Sequence, residues 1–122
     1  MNLSNRTLAE DLLARAAEDW VSSAEVIDLV RRSGVTDPSD CRDLAVGLIA
    51  RLLGEQLVSA GDIEGVEYSP WPLSTAEAIL RIALEWASAP DPFVMPGSIV
   101  WLDTTPSGQA IGESVWRRES GQ

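Results

Sequence analysis

Apolar residues recur at four-residue spacing near the start of the chain: Leu8, Leu12, Ala16 and Trp20 form one line, with Leu13 and Ala17 beside it. Arg6, Glu10, Arg15 and Glu18 fall mostly elsewhere, and this pattern predicts an amphipathic helix from about Ser4 to Trp20. Ser22 and Glu25 are spaced as a capping box, with Val21 and Val26 at the staple positions, so a second helix starts there. Gly34 ends it, after Arg31 and Arg32 place positive charge at the negative end of its dipole. Asp37 is held extended by the proline after it, which suits an N-cap, and Pro38 then takes the first position of a third helix. Leu44, Leu48 and Leu52, flanked by Ala45, Ile49 and Leu53, give this helix the wide apolar stripe of a central buried element ending near Gln56.

From Leu57 to Leu73 the helical period breaks, and glycines at 61 and 65 alternate with acids. The segment Ile63 to Tyr68 has strand character, which predicts a turn and a short strand at Val66 to Tyr68. Ser74 and Glu77 form a second capping box, and Ala76, Ile79, Leu80, Ala83, Trp86 and Ala87 carry a fourth helix to near Ser88. Pro90, Pro92 and Pro96 exclude regular structure after it. Ile99 to Leu102 reads as a strand, with its partner expected at Val66 to Tyr68. The tail has two readings, a hairpin turn at Thr105 to Gly108 or a short helix capped by Thr105 with Pro106 first. Ile111 and Val115, four residues apart, favour the helix.

These elements make a single domain over residues 1–122, mainly α with a small antiparallel β element, of α+β class. Three helices, the third entering through Asp37-Pro38 and leaving through the leucine-rich stretch Leu52 to Asp62, resemble the helical half of a winged-helix domain. The strand at Ile99 to Leu102 and the stretch Thr104 to Gly108 are similar to the wing strand and following helix of that fold. The resemblance implies a three-helix core plus an inserted helix and a short C-terminal helix, with about 30 residues where a tight wing would be. It also implies a DNA-binding transcription regulator.

Charge argues against that function. Nineteen acidic residues face nine arginines, with no lysine and no histidine, for a net charge of −10. Such a surface repels phosphate backbones and anionic lipid and attracts basic partners. On the third helix Asp40, Asp43 and Glu55 outnumber Arg42 and Arg51, the wrong balance for DNA. The first fifteen residues lack both a basic start and an unbroken apolar stretch, so they read as no signal peptide. No window approaches the roughly 18 apolar residues of a spanning helix. Cys41 is the one cysteine, so no intramolecular disulfide can form and the cytoplasm is the expected location.

Catalytic and metal chemistry find little purchase. Without imidazole the residue most used for acid/base work and zinc ligation is missing, and no Ser-His-Asp triad or Gly-rich phosphate loop with its lysine exists. Asp62, Glu64 and Glu67 flank glycines, but their spacing matches no calcium loop. Asp37, Asp40 and Asp43 share one side of a helix start, where cap and dipole explain two of them. Cys41 in that first turn has no histidine to act as its base and reads as a packed thiol. Gly108 and Gly112 form a G-x-x-x-G outside any membrane span and signal little.

A non-enzymatic, cofactor-free binding module remains. Trp71, held between Pro70 and Pro72, reads either as an aromatic anchor or as the lid of the core. Trp20, Trp86 and Trp101 read as core and Trp116 as marginal. The expected face is the acids Asp62, Glu64 and Glu67 and the helix-start aspartates Asp37, Asp40 and Asp43, which steer a basic protein, with Tyr68 and Trp71 docking it. In size and acidity the chain resembles bacterial immunity proteins of toxin and immunity pairs, which implies a basic, nuclease-type toxin as partner.

Overall fold

The computed structural model describes residues 5–121. In chain order its elements are α1 (Leu8–Ala16), β1 (Val21–Ser22), α2 (Ser23–Arg32), α3 (Pro38–Gly54), β2 (Val58–Glu64), β3 (Glu67–Pro70), α4 (Thr75–Ala87), β4 (Trp101–Thr104) and α5 (Pro106–Glu119). The fold is α+β, as the residue pattern predicts: the described residues form five helices and a four-stranded antiparallel sheet.

Polar side chains set the helix starts. The predicted start of α1 at Ser4 lies outside the described residues. The helix begins at Leu8, because the Thr7 hydroxyl accepts from the Glu10 N–H at 3.1 Å and the Glu10 carboxylate accepts from the Thr7 N–H at 2.9 Å. It ends at Ala16, short of Trp20, which leads the chain into β1. Ser22 caps α2 by accepting from the Glu25 N–H at 3.3 Å. The second half of that predicted box is absent, since Glu25 is held by Arg15 at 3.2 Å instead. Asp37 with Pro38, Ser74 with Glu77, and Thr105 with Pro106 start α3, α4 and α5 as expected. The tail is thus helical, and at 14 residues α5 is longer than the short helix anticipated.

The sheet order is β1-β4-β2-β3. Two expectations change here. The segment after Leu57 holds a full hairpin of β2 and β3 rather than one short strand, and the last strand, β4, does not pair with Val66 to Tyr68. β3 occupies one edge of β2, so β4 takes the other edge and closes against β1. Leu102 sets this register: it lies opposite Val21 on one side and Ala60 on the other, and all three are buried. Burial of such apolar neighbours fixes strand register, because a slip of one residue turns Leu102 to solvent.

α3 is half-buried rather than central. Cys41, Ala45, Ile49, Leu52 and Leu53 form its inward line, while Leu44 is 49% exposed. The Cys41 thiol is buried and donates to the Val35 carbonyl at 3.2 Å, so it is a packed group. No helix among the described residues is long and apolar enough to cross a membrane.

α5 packs against Leu57 through Gly108 and against α1 through Gly112. A Cβ on Gly108 would overlap the Leu57 carbonyl, and one on Gly112 would overlap the Leu13 carbonyl and stand 2.7 Å from the Ala17 Cβ. Backbone here meets backbone, so the G-x-x-x-G spacing does carry a packing signal. At the far end of this helix pair the Arg6 guanidinium donates to both Glu119 oxygens at 2.6 Å and to Asp11 at 2.7 Å, and lies over the Trp116 ring at 4.5 Å. Arg118 donates to Glu10 at 3.0 Å.

Gly112→Ala is expected to destabilise the fold by roughly 1–3 kcal/mol through overpacking. Gly47→Ala, in the open face of α3 with nothing within 4 Å of the new methyl, should stabilise it by about 0.8 kcal/mol; urea titrations of both variants check the contrast. Arg6 holds the Glu119 carboxyl below its usual 4.5. A carboxyl lowered on folding contributes stability above the unfolded value and loses it as pH falls through the folded one. Arg6→Met should therefore flatten the loss of stability below pH 4.5, seen in denaturation midpoints against pH.

Candidate functional site

Strand alternation divides the sheet into two faces. Val58, Ala60 and Leu102 turn inward, and the register places Ser59 opposite Asp103, Gly61 opposite Trp101, and Ile63 opposite Tyr68 on the other side. Gly61 is needed there: a Cβ would overlap the Ser69 carbonyl oxygen and lie 2.8 Å from Cζ of Tyr68, whose ring lies across that backbone. The Tyr68 hydroxyl is 2.8 Å from the Ser59 Oγ. Trp20 stacks on Tyr68 with centroids 6.1 Å apart and planes inclined by 26°. Trp20, Tyr68 and Trp101 are all half-buried, so aromatic surface is open on this face.

Carboxylates surround the aromatic group. Glu18, Asp19 and Asp103 line a depression of about 240 Å³ with Trp20 and Gln109. Gln109 is fixed by donating to the Ala17 carbonyl at 2.9 Å and to Glu113 at 3.0 Å. The Tyr68 phenol is pushed up to about 12, first by burial, with the negative charges of Asp103 and Asp62 adding to the rise while the Ser59 hydrogen bond opposes it.

The arginines leave this region alone. Eight of the nine are ion-paired: Arg6, Arg15, Arg31, Arg32, Arg42, Arg51, Arg81 and Arg118. Their partners are helical or helix-flanking acids, and no basic residue occurs between Arg51 and Arg81 or between Arg81 and Arg117. Glu18, Asp19, Asp62, Glu64, Glu67 and Asp103 take no part in the ion pairs of the described residues. Asp37, Asp40, Glu77, Asp91 and Glu113 also take no part in those pairs, so just over half of the unpaired carboxylates, six of eleven, lie on or beside the sheet.

The sequence-predicted residues divide. Tyr68 belongs to the face, and Asp62, Glu64 and Glu67 lie on the same hairpin; alternation puts Asp62 and the facing pair Glu64 and Glu67 on the reverse side. Trp71 is not an exposed anchor: it is 8% exposed, part of the core, and the Arg81 guanidinium covers its ring at 3.9 Å. The lid reading is the correct one: the ring is buried in the core, and the Trp71 backbone N–H donates to the Ala60 carbonyl at 2.9 Å, which holds its main chain against β2. Asp37, Asp40 and Asp43 do not join the face. Asp37 accepts from the Asp40 N–H at 3.0 Å as a cap and Asp43 accepts from Arg42 at 3.1 Å. Among the described residues no hydrogen bond or ion pair links them to the hairpin.

Five residues of the face and its border escaped the pattern, namely Glu18, Asp19, Trp20, Trp101 and Asp103. Both tryptophans were expected in the core. The alternation Trp101-Leu102-Asp103 carried the signal, since an inward Leu102 turns its neighbours outward. Among the described residues no group of His, Cys, Asp and Glu can hold a metal ion. The arrangement offers ring faces for cation–π contact and carboxylates for charge pairing, which is what a guanidinium or ammonium group meets best. No family model, curated protein or solved structure matches the chain.

Tyr68 is the sole tyrosine, so ultraviolet titration of phenolate reports it alone. The expected midpoint is about 12, and Asp103→Asn should lower it. Since this pKa is raised on folding, stability is full below 10 and lost as pH rises towards 12. A midpoint of 10 in the folded protein would contradict the enclosed phenol.

Proposed function

We propose that the protein is a non-enzymatic binding module that captures a basic protein through the acidic, aromatic face of its sheet. The observation that carries this reading is the segregation of charge: the arginines are spent on helical carboxylates, and those around Trp20, Tyr68 and Trp101 are left unpaired. Steering by Glu18, Asp19, Asp62, Glu64, Glu67 and Asp103 raises the rate of encounter, and aromatic surface supplies the area that desolvated contact needs. Net charge of −10, small size and an acidic face that mimics a phosphate backbone together support an immunity protein for a nuclease-type toxin. Action in the cytoplasm suits a chain whose one cysteine is buried and unbridged.

One observation favours a second reading, a winged-helix-like DNA-binding regulator. The order α1-β1-α2-α3-β2 is followed, after β3 and α4, by a β4 that lies between β1 and β2, which suits a winged sheet carrying an insertion. Charge opposes it: Arg42 is tied to Asp43 and Arg51 to Glu55, so the third helix has little free positive charge for phosphates.

The experiment is capture from bacterial lysate on immobilised protein, with elution by salt and identification by mass spectrometry. A basic protein should be retained and released as ionic strength rises, and its association rate should fall about tenfold or more between low and high salt. Asp103→Asn with Tyr68→Ala should slow association and speed dissociation. Salt-independent capture, or a promoter fragment shifted in a gel with no basic protein retained, would overturn the proposal in favour of the regulator.

A further inference from the structure

α4 has two apolar faces. Ala78, Ile82 and Trp86 enter the core. On another side Leu73, Ala76, Leu80, Ala83, Leu84 and Ala87 recur at helical spacing, and Leu80 and Leu84 are 58% and 59% exposed. Leu73, at the head of this stripe, also belongs to the wall of a cavity of about 300 Å³ between β2, the end of β3 and the start of α4. Leu53, Val58 and Trp71 make that wall apolar, Ser59, Ser74 and Thr75 also line it, and no charged residue does. In a chain with 23% charged residues, an uncharged cavity running into an exposed leucine stripe is a groove of definite chemistry.

We infer that this groove docks a basic amphipathic helix of the partner protein. The inference rests on the reading of that partner as basic. Charge complementarity selects the occupant: on the polar edge of α4 Arg81 and Glu85 neutralise each other at 2.8 Å, Arg81 also lying over the Trp71 ring, so Glu77, which takes no part in the ion pairs of the described residues, leaves that edge net negative in a chain of charge −10. No basic residue follows α4 before Arg117. A second copy of this chain would bring −10 against −10, whereas a helix edged with lysine or arginine meets acids on its flank and leucine beneath. Helical spacing of the stripe matches a helix laid along it, with an apolar side chain at one end seated in the cavity.

The probe is a synthetic amphipathic helix of leucine and lysine, roughly 18 residues or five turns long, titrated into isotopically labelled full-length protein and followed by amide shifts. Shifts should cluster on Leu73 to Ala87 and around the cavity. Leu80→Ser with Leu84→Ser, which leaves charge unchanged, should weaken binding about tenfold or more with an unaltered circular dichroism spectrum. Ala87→Arg should weaken it as well, by placing a cation on the stripe, and Asp103→Asn should change it less than about twofold. Shifts confined to the Tyr68 and Asp103 face, with the serine pair binding normally, would sink the groove while leaving the basic-partner reading intact. Equal binding of the same peptide with glutamate for lysine, or a dimer of the free protein dissolved by the serine pair, would also overturn it.

Discussion

The return of β4 between β1 and β2 is the constraint on which the rest of the architecture depends. Four residues near the end of the chain complete a sheet that would otherwise consist of a hairpin and an isolated pair of residues, neither of which is stable alone in water. Leu102, fully buried between Val21 and Ala60, anchors that return. Because successive side chains alternate, the same residue that turns inward commits Trp101 and Asp103 to the open face. Packing in the core and the placement of the candidate site are therefore one event. α5 begins directly after β4 and is pressed onto α1 and Leu57 through Gly108 and Gly112, so β4 also fixes where the tail helix lies.

Charge distribution follows from a shortage. With nine cations for nineteen anions, each arginine placed in a local helical pair removes one from general use. Arg15 with Asp11, Arg32 with Asp28, Arg51 with Glu55 and Arg81 with Glu85 are all pairs one helical turn apart. Exposed pairs of this kind add little stability each. Their larger effect is on the field: each pair cancels charge on a helix, while Asp62, Glu64, Glu67 and Asp103 on the strands keep theirs uncancelled. The Tyr68 phenol senses that surplus directly, since Asp103 and Asp62 both disfavour its ionised form.

How far residue order reveals this protein depends on the range of the forces involved. Caps are local, and Asp37-Pro38, Ser74 with Glu77, and Thr105-Pro106 were legible because the polar atom and the N–H it accepts from lie three residues apart. Failures occur where a distant residue decides. Glu25 looks like a box partner for Ser22 until Arg15 competes for it. Gly61 falls in a stretch read as a turn and a short strand, yet it lies within β2 and is required there because the Ser69 carbonyl and the Tyr68 ring crowd its α-carbon. Trp71 and Trp20 exchange roles for the same reason: a main-chain bond to Ala60 holds the first against β2 with Arg81 over its ring, and stacking on Tyr68 holds the second at the surface. Of the predicted contact residues, those on the hairpin were found by composition alone, whereas Asp103 depended on a strand register that no local pattern contains.

Carboxylates and leucines contribute different things to recognition, and this chain separates them in space. Surface charge at physiological salt acts over about 8 Å, speeds encounter and discriminates sign, but each exposed pair adds little to affinity. Affinity comes from desolvated apolar area in a few well-seated contacts. Tyr68 and the tryptophans beside it are half-buried already, with part of their surface committed to one another, so the sheet face alone offers limited new burial. Leu80 and Leu84, more than half exposed, hold the largest unspent reserve of apolar area on α4. Leu73 connects that reserve to a cavity whose lining includes Ser59, a residue of the aromatic face. The acidic sheet and the leucine groove thus meet along one border, and a partner large enough to span it would be attracted by the first and retained by the second.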